Sequence, residues 1–234
     1  MRVFSYRASV CLRHAVFAAT WVAAAAAASA EERQWYAGAA VESQSITVLR
    51  GNDVFSGDWD FGSSSSGYSV HGGLRLLKHV AVEGMVRRVR NVKWTEDVTA
   101  IPGVPGLYSS RVEFDAALDQ VLVVGMLPFA KIWEGYIKGG VGHYGFDGEQ
   151  TLTGLTGGPS VTRPVSKHGS NFPLAVGVSV AVAPSWHLAI EVSSITIDES
   201  FLGIPGGNSA SLGGWSIGAE YRFGRKSSGS EALR

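Results

Sequence analysis

The run Trp215-Ser216-Ile217-Gly218-Ala219-Glu220-Tyr221-Arg222-Phe223 places an apolar or aromatic residue at every odd position and Ser, Gly, Glu or Arg at every even one. Side chains two apart lie on the same face of a β-strand, so this alternation builds a strand with one apolar and one polar face. The same period recurs in Leu174-Ala175-Val176-Gly177-Val178-Ser179-Val180-Ala181-Val182. It recurs again where Leu188, Ile190 and Val192 alternate with Ala189, Glu191 and Ser193. A helix would repeat every 3.6 residues and mix the two sets.

Working outward from these segments, alternating runs cover residues 34–45, 67–76, 80–90, 113–127, 133–146, 172–182, 186–197 and 214–223. Their lengths suit tilted membrane strands of about 9 to 11 residues. The connections alternate between very short and long. Leu77-Lys78-His79, Pro128 to Ile132 and Ala183-Pro184-Ser185 read as tight turns, whereas 46–66, 91–112, 147–171 and 198–213 read as long loops rich in Gly, Ser, Pro and Thr. Loops of that length are uncommon in a compact soluble domain. Short turns on one side and long loops on the other are the pattern of an outer-membrane barrel. The fold predicted is therefore all-β, an eight-stranded antiparallel up-and-down transmembrane β-barrel, with Gly62 to Gly67 and Gly154 to Ser160 as flexible loop segments.

A soluble lipocalin-type barrel also alternates, but hides its apolar face inside. Here the polar face carries charges of both signs in mid-strand, Arg75, Glu83, Arg87, Lys138, Glu191, Glu220 and Arg222, together with Gly38, Gly73, Gly140, Gly142, Gly177 and Gly218. Small residues and mixed charges fit a narrow lumen. Trp35, Trp133, Trp186 and Trp215, with Tyr221 and Phe223, fall at strand ends, where an aromatic girdle would meet the membrane surfaces. Strand four is ambiguous in phase: Asp115 and Asp119 suit the lumen, but Gln120 then points to lipid.

Residues 1–30 carry Arg2, Arg7 and Arg13, an uncharged stretch from Ala15 to Ala27, and a small-residue end at Ala28-Ser29-Ala30. This is the pattern of a secretory signal peptide, its apolar part shorter than the ~20 residues of a spanning helix. The domains expected are thus a signal peptide at 1–30, a barrel at 31–224 and a short tail at 225–234. Of the 20 basic residues three lie in the signal, so 17 basic face 20 acidic side chains beyond it, a net of −3. That balance gives nucleic acid no electrostatic footing. The single cysteine, Cys11, lies within the signal, so cysteine chemistry is not expected of the barrel. All 30 glycines follow residue 30, a load that disfavours helix.

Catalytic and metal motifs find little support. Gly140-Val141-Gly142-His143-Tyr144-Gly145 matches a dinucleotide fingerprint but lies within a strand and opens no helix. His71, His79, His143, His168 and His187 are not spaced as ligand pairs on one strand face. His187, Glu191 and Ser193 share a strand face, but residues two apart are separated by about 6.6 Å, so His187 is out of reach of Ser193. No cofactor, metal or catalytic residue is expected, and eight strands enclose a space that side chains just fill.

Across residues 34 to 224 the chain resembles the OmpA-like eight-stranded outer-membrane β-barrel family. The resemblance is carried by Trp35-Tyr36-Ala37-Gly38, Ala81-Val82-Glu83-Gly84, Leu127-Pro128, Tyr136-Ile137-Lys138-Gly139-Gly140-Val141-Gly142 and the terminal Tyr221-Arg222-Phe223. It implies a lumen closed by paired charges, with Glu83, Lys138, Glu191 and Arg222 at the matching positions. It also implies that Tyr221 and Phe223 form the signal read by the outer-membrane assembly machinery, although here Gly224 to Arg234 follow the final aromatic. The partners it implies are outer-membrane lipids and lipopolysaccharide, that machinery, and an unidentified surface ligand of the loops, for a monomer located in the outer membrane. The role expected is structural or in surface interaction, with a small gated channel and a lipid A-modifying enzyme as the alternatives.

Overall fold

A computed structural model describes residues 34–50, 58–61, 64–98, 108–154, 160–197 and 210–223. The expected signal peptide, the tail and most of the segment 198–213 lie outside the described residues. The strands are β1 (Gln34–Arg50), β2 (Asp58–Phe61), β3 (Ser65–Leu77), β4 (Val80–Val98), β5 (Tyr108–Pro128), β6 (Trp133–Gly154), β7 (Val161–Ala183), β8 (Trp186–Ile197) and β9 (Ala210–Arg222). Consecutive strands from β3 to β9 pair antiparallel, β3 pairs with β1, and β9 returns to β1, so eight strands close a ring. The four-residue β2 is extra and pairs only with the upper end of β1.

Every alternating run is a strand, and the three short connections are the turns expected. The long loops are a different matter. Most of 91–112 and of 147–171 is strand: β4 continues to Val98, β5 begins at Tyr108, β6 continues to Gly154 and β7 begins at Val161. With 19 to 23 residues, these four strands are about twice the length needed to cross a bilayer. Segment 46–66 likewise contains the end of β1, all of β2 and the start of β3.

The outward side chains explain why these continuations resemble loops in the sequence. Along β5 the outer face runs Leu127, Gly125, Val123 and Val121, then changes to Asp119, Ala117, Asp115, Glu113 and Arg111. On β6 the change falls between Val141 and His143, on β7 between Phe172 and Ser170, and on β8 between Val192 and Ser194. On β5 to β7 these positions lie side by side in the register, since Val121 pairs with Val141, Asp119 with His143 and His143 with Ser170, while on β8 the change falls two outward steps lower, Val192 pairing with Val176 and Ser194 with Leu174. One apolar belt therefore circles the barrel from the turns up to this level and stops there. Above it the wall is polar outside, as befits water, and apolar inside.

The phase of strand four is settled the other way from the lumenal placement of its acids. Gln120 is buried inside the barrel, and Asp115 and Asp119 face outward. Gln120 does not meet lipid because the even positions of β5 point inward throughout.

Val178 and Ile190 are directly paired and both face out within the belt. Ile190→Arg should cost ~2 to 4 kcal/mol of folding stability in lipid vesicles. Thr151→Arg, on the outer face above the belt, should stay within about 0.5 kcal/mol. Equal losses in urea titrations would place the upper boundary of the membrane wrongly.

Candidate functional site: the layered interior of the barrel

The interior has three layers, each following from which residues share the inward phase. Nearest the turns, Glu134 at the start of β6 accepts hydrogen bonds from Arg75 Nη2 at 2.6 Å and Arg222 Nη2 at 2.8 Å. Arg222 also donates Nε to Glu220 at 2.6 Å, and His71 Nε2 lies 3.8 Å from Glu220. The second layer lies higher. Lys138 Nζ is 2.9 Å from Glu83 and 3.0 Å from Glu191, while Arg87 reaches Glu42 at 2.9 Å and Glu191 at 3.6 Å. Arg87 is 2% exposed and Glu83 1%, so these charges are withdrawn from solvent and balanced only by one another.

All seven charged residues picked from the sequence lie in these two layers. Arg75, Glu220 and Arg222 belong to the lower one, and Glu83, Arg87, Lys138 and Glu191 to the upper. Arg222 does not touch Lys138, so the expected foursome of Glu83, Lys138, Glu191 and Arg222 is divided between two clusters. Between them lies a cavity of about 30 Å³ lined by His71, Tyr136, Lys138, Glu191 and Glu220, among others. That is space for about two water molecules.

Glu42 and Glu134 complete the clusters and were missed in the sequence. The signal was available: Glu42 has the phase of Gly38 on β1, and Glu134 that of Lys138 on β6. Tyr36 was noted only as part of a motif, yet its hydroxyl donates to Glu83 at 3.1 Å, and the Tyr136 ring lies 5.1 Å from Lys138 Nζ. Two interior glycines make room for these rings. A Cβ at Gly73 would run into the Tyr36 ring, and one at Gly177 into the Tyr136 ring.

The third layer is apolar and was not foreseen. Above the ionic clusters, Ile46, Val89, Val92, Trp94, Val112, Phe114, Leu118, Tyr144, Phe146, Ile195 and Leu212 form one buried cluster. The rings of Tyr144 and Phe146 stack with centroids 4.6 Å apart, and Phe114 meets Phe146 at 4.9 Å. On β4 the phase is kept by a bulge. Asn91 takes a φ of 55°, and the register shifts between Val89 and Val92, so Val89, Val92 and Trp94 all point inward.

The four tryptophans of the expected girdle face outward. Trp35, Trp133 and Trp186 sit at the turn end of the belt and Trp215 at its upper edge. Tyr221 packs edge-on against Trp186 and Phe223, with centroids 5.2 Å and 4.9 Å away. The glycine-rich run lies inside β6, and the Ser193 hydroxyl is engaged by Arg87 Nη1 at 3.3 Å.

A closed ring of strands with an apolar belt, an aromatic girdle and a charged interior defines a transmembrane β-barrel. The chain belongs to the outer membrane protein beta-barrel domain family, whose model matches residues 15–223, and its location is the outer membrane. No curated protein sequence matches it significantly. Among solved structures it is similar to Ail, the attachment invasion locus protein of Yersinia pestis, in complex with the heparin analogue sucrose octasulfate. Identity there is 15%, with 81% of this chain and 99% of that one covered and a TM-score of 0.41. It is similar also to Neisserial surface protein A, at 13% identity, 80% and 96% coverage and a TM-score of 0.45. The N-terminal β-barrel domain of Pseudomonas aeruginosa OprF gives 10% identity, 81% and 97% coverage and a TM-score of 0.42.

Lys138→Ala leaves Glu83 and Glu191 buried without their shared cation. The loss expected is ~3 to 5 kcal/mol, the range for breaking a buried pair, read as a lower urea midpoint in lipid vesicles. Lys93→Ala, whose exposed partner Glu113 sits on the outer wall, should change the midpoint by no more than ~1 kcal/mol. Equal effects would mean that the interior charges are solvated.

Proposed function

We propose that this protein is a closed, monomeric surface barrel with a structural and surface-interaction role, and neither a channel nor an enzyme. One observation carries the reading: an apolar layer fills the interior above the ionic clusters, while strands β4 to β7 continue above the belt as a wall with polar outer residues. Ions would have to cross Trp94, Phe114, Tyr144 and Phe146, each no more than 3% exposed. The ionic clusters fill the lumen beneath, and the apolar layer makes the seal. The projecting wall and its connecting segments would meet the outside ligand, and the Tyr221 and Phe223 pair would be read by the assembly machinery.

The Ser193 hydroxyl, the nucleophile weighed for the lipid A-modifying alternative, is engaged by Arg87 and not by a base among the described residues. The gated-channel alternative would need the apolar layer to part.

Two measurements test the reading. In planar bilayers the wild type should show no steady conductance, and Lys138→Ala should remain silent because the apolar layer is intact. Phe114→Ala combined with Phe146→Ala should introduce conductance. Steady wild-type current would overturn the sealed barrel. On whole cells, a cysteine at Thr151 should react with a membrane-impermeant thiol reagent and one at Lys78, in a turn, should not. The reverse pattern would invert the orientation.

A further inference from the structure

Two histidines that the sequence keeps apart meet on the outer face of the wall. His143 is the first outward residue above the belt on β6, and His168 faces outward on β7. In the β6–β7 register His143 lies opposite Ser170 and His168 opposite Gly145, so the two are diagonal neighbours on one face of the sheet. Their rings are nearly parallel, 4° between planes, with centroids 6.1 Å apart. Gly145 makes the approach possible. A Cβ there would stand 2.9 Å from His168 Nδ1, so the His168 ring leans across the glycine toward β6. No single strand carries both residues, which is why spacing along the chain gives no sign of the pair.

Both side chains are exposed, and neither makes a hydrogen bond or ion pair among the described residues. The charges around them favour a cation. Asp119 stands directly opposite His143 on β5, its side chain 62% exposed, and only its Oδ1 is engaged, by Arg88 at 3.2 Å. At this level of the wall the outward Asp115, Asp119 and Asp147 outnumber Arg88 and Arg90.

Imidazole nitrogen is a ligand for zinc, copper and nickel, whereas calcium and magnesium take oxygen. A tetrahedral centre with metal–nitrogen bonds of about 2.0 to 2.1 Å sets two imidazole centroids about 5 Å apart. The observed 6.1 Å therefore has to close by about 1 Å. Exposed side chains make such adjustments by rotamer motion within picoseconds to nanoseconds, and no packed neighbour has to move.

We propose that His143 and His168 form a surface site for a divalent transition metal of the zinc, nickel and copper class. Each ring supplies one nitrogen, water fills the remaining positions, and the Asp119 carboxylate adds attraction beside them. Carboxylates alone would select calcium or magnesium. The imidazole pair reverses that choice.

The test uses the full chain, without a histidine tag, folded in detergent and stripped of metal by a chelator. Zinc, nickel, calcium and magnesium are titrated separately by isothermal calorimetry. Zinc and nickel should each bind at one per chain, and an excess of calcium or magnesium should leave zinc binding within about twofold. His143→Gln and His168→Gln should each weaken zinc binding by at least about tenfold, the low end of what loss of even an outer-shell partner costs a metal site. His79→Gln, at the exposed histidine of a turn, should leave it within about twofold. Absence of zinc binding up to about 1 mM, where affinity falls to that of a weak fragment, overturns the proposal. So does wild-type affinity in either wall variant, an equal loss in His79→Gln, or calcium binding as tight as zinc, which would reduce the site to its carboxylates.

Discussion

Backbone pairing in a medium without water is the constraint on which the rest of the molecule depends. Within the bilayer every N–H and C=O must find a partner in the protein, and a sheet can provide that only by closing on itself. Here the closure is the β1–β9 ladder from Tyr36↔Arg222 up to Val48↔Ala210. Eight strands then fix a bore that side chains fill, and anything charged on the inner face must be answered from across it. Glu134 is answered by Arg75 of β3 and Arg222 of β9, and Lys138 by Glu83 of β4 and Glu191 of β8. These contacts tie strands that are not neighbours in the sheet, so the clusters brace the ring across its diameter.

The change of interior character with height has a simple origin. In the membrane, an apolar side chain gains little by turning inward, because the lipid outside is as apolar as the lumen. What distinguishes inside from outside at that depth is polar pairing, and the inner face is accordingly ionic. Once the wall rises into water the hydrophobic effect returns, and the inner face becomes Trp94, Phe114, Tyr144 and Phe146 while the outer face becomes Asp, Glu, Arg and Thr. The strands keep their alternation through the change. Only the environment that selects each face is exchanged.

That exchange also decides what was legible in the sequence. Strands with an aliphatic outer face, such as Leu174 to Val182, are plain to read because lipid demands a continuous apolar set at one phase. In the continuation of β6, Asp147-Gly148-Glu149-Gln150-Thr151 has no such set, and its turn-forming composition imitates a loop. In β4 the bulge at Asn91 shifts the phase, so strict alternation from Val80 would have put Trp94 on the wrong face. The charged interior was legible as a set of residues but not as a set of pairs, because partners across a barrel depend on stagger between strands. Glu134 and Glu42 could have been found by extending the phase of their strands, while the assignment of Arg222 to Glu134 and not to Glu83 could not.

The projecting wall raises one further demand. Among the described residues no strand pairs with β4 beyond Val89 on its β3 side, nor with β7 before Phe172 on its β8 side. Among the described residues the two flanks of the wall are thus open edges, and open edges invite strand addition from other chains. Both carry counter-measures. On β4, Asn91 sits in a left-handed bulge with the charged Arg90 and Lys93 beside it, which twists the edge and breaks its register. On β7, Pro164 removes a backbone donor, and Arg163 and Lys167 flank it. A wall whose edges are blunted in this way is left with its faces. On the proposed reading, in which the inner face is committed to the apolar seal, contact with anything outside the cell falls to the outer face.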